Sequence, residues 1–217
     1  ERKAEQMTLT RWLSCLCLAA ALGGCATRAP DLAPLVQIAP KSCTAAPDVT
    51  RAHALPFDTE DKAEPVRLTI EEQSPCLDEG GVKSLYEVFA LPELSYPIIV
   101  TVRSLPSTSG ILAPRIVLLD KDGGMLRELD REAVHFRGTA LTAMLRTRPE
   151  ERYLVVASDP DVVGSDISRV HGAVHRQMVS TGAVMVTVYT GSESTANMTY
   201  AHNGTIQVSA RAIPTAQ

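Results

Sequence analysis

The sequence has few aromatic residues and no long hydrophobic run, and both shortages exclude classes of protein. Aromatic residues make up 4% of the chain, and its single tryptophan is Trp12. The apolar run at residues 12–21 is much shorter than the stretch of about 20 residues that spans a bilayer as a helix. The formal net charge is −4 and the basic residues are scattered, whereas nucleic-acid-binding domains concentrate basic charge. We therefore expect neither a transmembrane helix nor a nucleic-acid partner.

Sequence motifs of the common catalytic centres are also missing. Beyond residue 25 the chain contains no Gly-x-Ser-x-Gly elbow, phosphate-binding loop, His-Glu-x-x-His or Cys-x-x-Cys motif. Catalytic groups can be scattered along a sequence, so a hydrolase stays open as a minor alternative. The sequence favours a protein that is not an enzyme and has no cofactor.

The N-terminal region has the pattern of a lipoprotein signal. Residues 7–25 combine a positive charge at Arg11, a short apolar core and the ending Leu22-Gly23-Gly24-Cys25, which resembles a bacterial lipobox. We predict that the mature protein begins at Cys25 and is held in the membrane by acyl chains such as palmitate, since each buried methylene contributes about 0.8 kcal/mol. By the usual proteobacterial sorting pattern, Ala26 predicts the periplasmic face of the outer membrane. An ordinary secretory signal is the alternative.

The cysteines predict one disulfide. Of the five in the chain, Cys15 and Cys17 would leave with the signal peptide and Cys25 would be lipidated, so that Cys43 and Cys76 remain. In an oxidising compartment a remaining pair of this kind is best interpreted as a disulfide. Free thiols or an intermolecular bridge are the alternatives.

Composition divides the chain into three segments. Residues 1–24 contain the signal peptide, preceded by six residues that look like upstream translation. Residues 25–65 are rich in alanine and proline and predict a lipidated tether, although hydrophobic residues such as Leu35 and Phe57 suggest that part of it packs on the domain. Residues 66–217 predict a β-sandwich domain. Its β-branched or alternating runs are residues 98–103, 115–120, 125–129, 152–158, 184–189 and 206–211.

One stretch of this domain has helical spacing. After Asp159 and Pro160, which fit a helix start, apolar residues recur at three- and four-residue intervals from Val163 to Met178, and this predicts an amphipathic helix. His171 and His175 would then lie one turn apart, close enough to share a metal ion. No third ligand is indicated, so we interpret both as a solvated flank and assign no metal site. Many short strands with one inserted helix predict a mainly β fold, an antiparallel sandwich of the jelly-roll kind.

The order of features between residues 68 and 178 resembles the maltose-operon periplasmic protein family. The resemblance lies in Phe89-Ala90-Leu91-Pro92, in the strand after Ile99, in the segment 112–120, in His135-Phe136, and in the run 153–158. It covers about half of the chain, and the segment 112–120 is its most distinctive part. The resemblance implies an accessory to maltose and maltodextrin transport that acts by binding an α-glucan or a protein of the uptake system. It supplies no catalytic or ligand-binding residue.

Two functions of different kinds therefore stand as hypotheses. The first is a non-catalytic envelope lipoprotein that serves carbohydrate transport. The second is a structural, protein-interaction module of the cell envelope that is unrelated to sugar. Five tyrosines beyond residue 25 could stack on sugar rings, although packing is the more common role of a tyrosine; they are Tyr86, Tyr96, Tyr153, Tyr189 and Tyr200.

Overall fold

The structure is a computed structural model that describes residues 32–60, 62–180 and 185–213. These residues form a mainly β fold of several antiparallel sheets, none of which closes into a barrel. The strands are β1 (His53–Ala54), β2 (Val66–Ile70), β3 (Cys76–Glu79), β4 (Val82–Ala90), β5 (Ile99–Leu105), β6 (Gly110–Leu112), β7 (Pro114–Leu119), β8 (Met125–Glu128), β9 (His135–Arg137), β10 (Ala140–Arg146), β11 (Tyr153–Ser158), β12 (Asp166–Ser180), β13 (Met185–Ala201) and β14 (Gly204–Arg211). Short 3₁₀ helices lie at Val49–Arg51 and Arg131–Ala133.

The first sheet has the strand order β1-β4-β11-β7-β8, and β3 also pairs with β4. Strand β11 lies at its centre, with Leu154 opposite Phe89 of β4 and Leu118 of β7. The apolar run of β11 predicted a strand buried on both faces. This is confirmed, because Leu154 belongs to the main core and Val155 belongs to a second cluster on the other face of the sheet.

The second sheet has the order β2-β14-β5-β10-β9 and alternates between buried and partly exposed side chains. On β5, Val100 and Val102 are fully buried whereas Thr101 and Arg103 face outward. This is the period of two that a strand with one buried face requires. The inner faces of both sheets contribute to a single core: Leu85, Phe89, Ile116, Leu118, Leu154 and Val156 from the first sheet, and Val100, Val102, Ala143, Leu145, Ile206 and Val208 from the second.

The turn between β7 and β8 consists of Lys121-Asp122-Gly123-Gly124, residue types that are typical of a hairpin turn. The Asp120 carboxylate accepts hydrogen bonds from the backbone N–H groups of Asp122 and Gly124, each at 2.8 Å. Gly123 has a φ of 83°, which a glycine adopts without the steric cost that a side chain would add. The local sequence therefore determined this turn correctly.

Parts of the described segment 32–65 pack on the domain. Leu55 is 5% exposed and belongs to the main core, and β1 pairs with the end of β4. The side chain of Asn203 accepts a hydrogen bond from the Leu35 N–H at 2.7 Å and donates one to the Ala33 carbonyl at 2.9 Å. The hydrophobic residues of this segment predicted this packing. In the sequence, six residues separate Cys25 from Leu32, the first residue that the structure describes.

The predicted helix at residues 159–178 is wrong. The start signal does produce a turn, in which Asp159 accepts a hydrogen bond from the Asp161 N–H at 3.1 Å. Gly164 then takes a φ of 86°, and strand β12 begins at Asp166. The β-branched residues of this stretch find a complementary strand in β13, and the pairing of fifteen residues outweighs the helical spacing.

Strands β12 and β13 form a long hairpin within the third sheet, whose order is β12-β13-β6. Fifteen paired positions at about 3.4 Å each give a ladder of roughly 50 Å. Its base is attached to the domain where residues 199–201 pair in parallel with β6. In the described parts of the chain, no helix is long and apolar enough to span a membrane.

Candidate functional site

The predicted disulfide between Cys43 and Cys76 is confirmed, with the two Cα atoms 4.8 Å apart. It attaches the N-terminal segment to β3, where the Thr44 N–H donates to the Cys76 carbonyl at 3.0 Å and Asp78 N–H donates to the Thr44 carbonyl at 2.9 Å. A cross-link that closes a loop of this length stabilises the fold by about 3 to 4 kcal/mol in the chain-entropy model. Cys25, the predicted lipidation site, lies outside the described residues.

The two histidines considered for a metal site lie on β12 instead of a helix. His171 pairs with Ser194 and His175 pairs with Thr190. Residues four apart on a strand are about 13 Å apart along it, so the one-turn geometry that a shared metal needs is missing. In the described residues no group of three His, Cys, Asp or Glu side chains is arranged to hold a metal ion.

An open cleft of about 490 Å³ lies where the edge of the first sheet meets the second sheet. Its volume is in the range of small-molecule sites, about 300 to 1,000 Å³. Three arginines from different elements surround it: Arg127 on β8, Arg146 at the end of β10, and Arg148 in the loop that follows. The remaining lining residues are mostly apolar: Pro97, Leu129, Met144, Leu145, Thr147 and Pro149.

A buried carboxylate fixes the position of one arginine of this cleft. The Glu151 side chain is fully buried, and Arg127 donates to its two oxygens at 2.6 Å and 3.2 Å. The Arg148 N–H donates to the same carboxylate at 2.9 Å, and the Arg127 guanidinium also donates to the Arg146 carbonyl at 2.9 Å. Arg127 is therefore fixed in place, while Arg146 and Arg148 are exposed and can present their guanidinium groups to a ligand.

Of the predicted tyrosines, Tyr96 is the one that the structure places in the open beside this cleft. It precedes the lining residue Pro97 and is 45% exposed. Tyr86 is buried and accepts a hydrogen bond from the Asp48 N–H, and Tyr153 packs on the second apolar cluster. The Tyr189 side chain lies outside the described part of the structure.

Tyr200 lines a much smaller cavity of about 50 Å³, which is large enough for water and little else. The Arg131 guanidinium closes one side of it with hydrogen bonds to the buried Asp159 carboxylate at 2.7 Å and 3.2 Å and to Asp161 at 2.9 Å. Burial raises the pKa of the Tyr200 phenol, and the charge of Asp159 adds to the increase. Arg131 and Asp159 hold the loop after β11 against the domain.

A serine and a histidine are hydrogen-bonded inside the domain. The Ser158 hydroxyl lies 2.8 Å from Nδ1 of His202 and accepts the Leu85 N–H at 3.0 Å. Burial lowers the pKa of His202 below its ordinary value. Ser158 has no exposed surface, so its hydroxyl cannot reach a substrate from solvent. This pair joins strands of the fold and is not arranged as a nucleophile and base.

Sequence reasoning missed the arginine cleft. Its strongest signal is the run 146–152, in which three arginines and two glutamates surround Pro149. The run resembles an ordinary charged loop, and the burial of Glu151 appears only once the two sheets are joined. Comparison with protein-family models, with curated proteins and with solved structures finds no match to this chain.

Proposed function

We propose that this protein is a lipoprotein on the periplasmic face of the outer membrane and a non-catalytic accessory to maltose and maltodextrin transport. The lipobox ending at Cys25, with Ala26 after it, supports the location. The disulfide between Cys43 and Cys76 is consistent with an oxidising compartment such as the periplasm. The resemblance to the maltose-operon periplasmic protein family supports the substrate class.

We further infer that the domain is an antiparallel sandwich of the jelly-roll kind. Its support is the single core that the inner faces of the first and second sheets share. A sandwich of this type is a rigid scaffold, and rigid strands hold binding side chains at fixed distances. The inference fits a protein that acts by binding.

The geometry that carries the proposal is the arginine cleft, together with the exposed Tyr96 that directly precedes its lining residue Pro97. A tyrosine ring offers an apolar face on which a sugar ring can stack. The guanidinium groups of Arg146 and Arg148 supply donors for sugar hydroxyl groups, and Arg127 is held by Glu151 so that it does not collapse into the cleft. An α-glucan would be held by Tyr96 on one side and by the arginines on the other.

Thermal unfolding with a ladder of maltodextrins tests this proposal. A ligand at a hundred times its dissociation constant stabilises the native state by about 2.7 kcal/mol, which for a chain of this size raises the midpoint by roughly 5 to 10 °C. The wild-type protein and Tyr96→Phe should show the increase, since both keep the ring, and Tyr96→Ala should lose it. The absence of any shift at millimolar sugar would count against sugar binding.

The second candidate, a protein-interaction module of the cell envelope, is favoured by the long hairpin. In the described residues β12 pairs with β13 along one edge, and its other edge has no strand partner. An open strand edge offers backbone groups to which a partner can add a strand. A photo-crosslinking residue placed at the exposed Ser168 in intact cells would test this function. Capture of a cell-wall or assembly protein, with no response to maltodextrin, would favour it over sugar transport.

A further inference from the structure

The charges of the second sheet are all of one sign. Its five strands contain no aspartate and no glutamate. They contain five arginines and one histidine, and all six side chains are partly or fully exposed. We refer to this set as the arginine face: Arg67, Arg103, His135, Arg137, Arg146 and Arg211. It is found on a chain whose formal net charge is −4, so the charge of the molecule is strongly asymmetric.

Three arginines outside the second sheet are paired with carboxylates. Arg115 binds Glu79 and Glu128, Arg127 binds Glu151, and Arg131 binds Asp159 and Asp161. The described residues place no carboxylate within ion-pair distance of an arginine of the arginine face.

The polar contacts of the arginine face leave its charge uncompensated. Arg103 donates to the Gln207 amide oxygen at 3.3 Å, and Arg137 donates to Nε2 of His135 at 3.0 Å and to the sulfur of Met144 at 3.3 Å. None of these partners is a carboxylate, so they orient the guanidinium groups and do not neutralise them. The arrangement leaves donors available for an external anion.

The strand register spreads these charges over a flat area. Arg67, Gln207, Arg103, Thr142 and His135 occupy one row across all five strands. Strands are about 4.8 Å apart, so the row is about 19 Å long. Arg211 and Arg146 lie on a second row on either side of Ile99. A planar array of anions can engage several of these arginines at once, whereas a single small anion can engage only one or two.

The attachment of the N-terminal segment indicates which planar array of anions lies near the arginine face. This step rests on the proposed lipidation of Cys25. Six residues separate Cys25 from Leu32, and a chain of this length reaches at most about 25 Å even when fully extended. The Leu32 carbonyl accepts a hydrogen bond at 3.2 Å from Ser107, which follows β5 of the second sheet, four residues after Arg103. Acylation would therefore keep the second sheet close to lipid headgroups.

We propose that the arginine face binds an anionic phospholipid surface. The guanidinium groups would bind headgroup phosphates, and the contact would orient the domain on the membrane. The acidic Glu64 lines a recess together with Lys62 and Arg211, so a lysine accompanies it. Arg146 belongs to both the arginine cleft and the arginine face. The other arginines of the arginine face lie outside the cleft.

Vesicle co-sedimentation tests the proposal with the full chain carrying Cys25→Ser, which has no acyl group. Vesicles with 30% phosphatidylglycerol in phosphatidylcholine should bind it much more strongly than pure phosphatidylcholine does, and 0.5 M NaCl should abolish the difference. One basic residue at a membrane surface is worth about 1 kcal/mol, or about a fivefold change in partitioning, so Arg67→Gln/Arg103→Gln should weaken binding by about 25-fold. The apolar run 12–21 is common to every variant and cancels in the comparison.

The matched control removes two charges from the opposite side of the molecule. Arg51 and Lys121 are exposed and lie beside the outer face of the first sheet, so Arg51→Gln/Lys121→Gln should change binding less than twofold. Equal binding to neutral and anionic vesicles, equal loss in both double variants, or binding to soluble polyphosphate without binding to vesicles would each overturn the proposal. None of these results depends on acylation or on maltodextrin, so the proposed function would be tested separately.

Discussion

The outer faces of the two sheets differ although both sheets enclose the same core. The outer face of the first sheet is apolar at Tyr86, Val117 and Val155 and is covered by the segment around Val49, and its arginine is neutralised by glutamates on both sides. Among the residues that the structure describes, the arginines on the outer face of the second sheet have no carboxylate partners. The outer face of the first sheet therefore contributes to the stability of the fold, whereas the charges on the outer face of the second sheet do not. Four changes in the free energy of unfolding test that difference, and we give them in decreasing order of size.

Removing the disulfide should have the largest effect, because it attaches the segment that covers the first sheet. We expect Cys43→Ser/Cys76→Ser to lower the free energy of unfolding by about 3 to 4 kcal/mol. Urea denaturation of the oxidised wild type and the double variant would measure this. A loss below about 1 kcal/mol would mean that the packing of Leu55 and its neighbours holds the segment without the cross-link.

The Glu151 carboxylate joins the two sheets, since it binds Arg127 of β8 next to the end of β10. Glu151→Gln should lower the free energy of unfolding by about 2 to 3 kcal/mol, because it leaves the charge of Arg127 partly buried without its partner. Glu150→Gln is the matched control, since Glu150 is exposed, and should change stability by less than about 0.5 kcal/mol. Equal effects of the two variants would contradict the role given to Glu151.

One arginine from each face provides the most direct comparison of stability. Hydrogen bonds that Arg115 donates to Glu128 and Glu79 raise its pKa, and both glutamates are nearly half exposed, so Arg115→Gln should cost only about 1 kcal/mol. Arg103→Gln should leave the free energy of unfolding within about 0.5 kcal/mol of wild type. If Arg103→Gln were the more destabilising variant in chemical denaturation, the second face would be contributing to the fold.

The smallest effect concerns pH. Burial lowers the pKa of His202 in the folded protein, so the unfolded chain binds a proton more readily as the pH falls through about 6.5. The free energy of unfolding should therefore decrease below about pH 6.5, until the pH reaches the lower pKa of the folded state. His202→Gln should reduce this dependence, and unfolding curves between pH 7.5 and 5 would show it. An unchanged slope in the variant would exclude His202 as the cause.

The strands were predictable from sequence where one local rule determined them. A β-branched run predicted β5, alternation predicted β14, and a continuous apolar run predicted β11. The cysteine count predicted the disulfide. The helix prediction failed because apolar residues at three- and four-residue spacing also occur by chance in a strand, and the deciding contact was with β13, a strand that follows in the chain.

The arginine cleft and the arginine face could not be predicted in the same way. Glu151 becomes buried only when β8 and the loop after β10 meet. Arg67 and Arg211 are far apart in sequence and share a face only because β2 and β14 are neighbours. Both features depend on the order of strands in the sheets, which local sequence patterns do not encode.

Palmitate labelling in cells, followed by separation of the inner and outer membranes, tests the proposed lipidation of Cys25 and the proposed location. We propose that an acyl group on Cys25 holds this domain on the outer membrane. Wild-type protein should incorporate labelled palmitate and fractionate with the outer membrane, and Cys25→Ser should do neither. Wild-type protein that is unlabelled and released with the soluble periplasmic fraction would contradict the account.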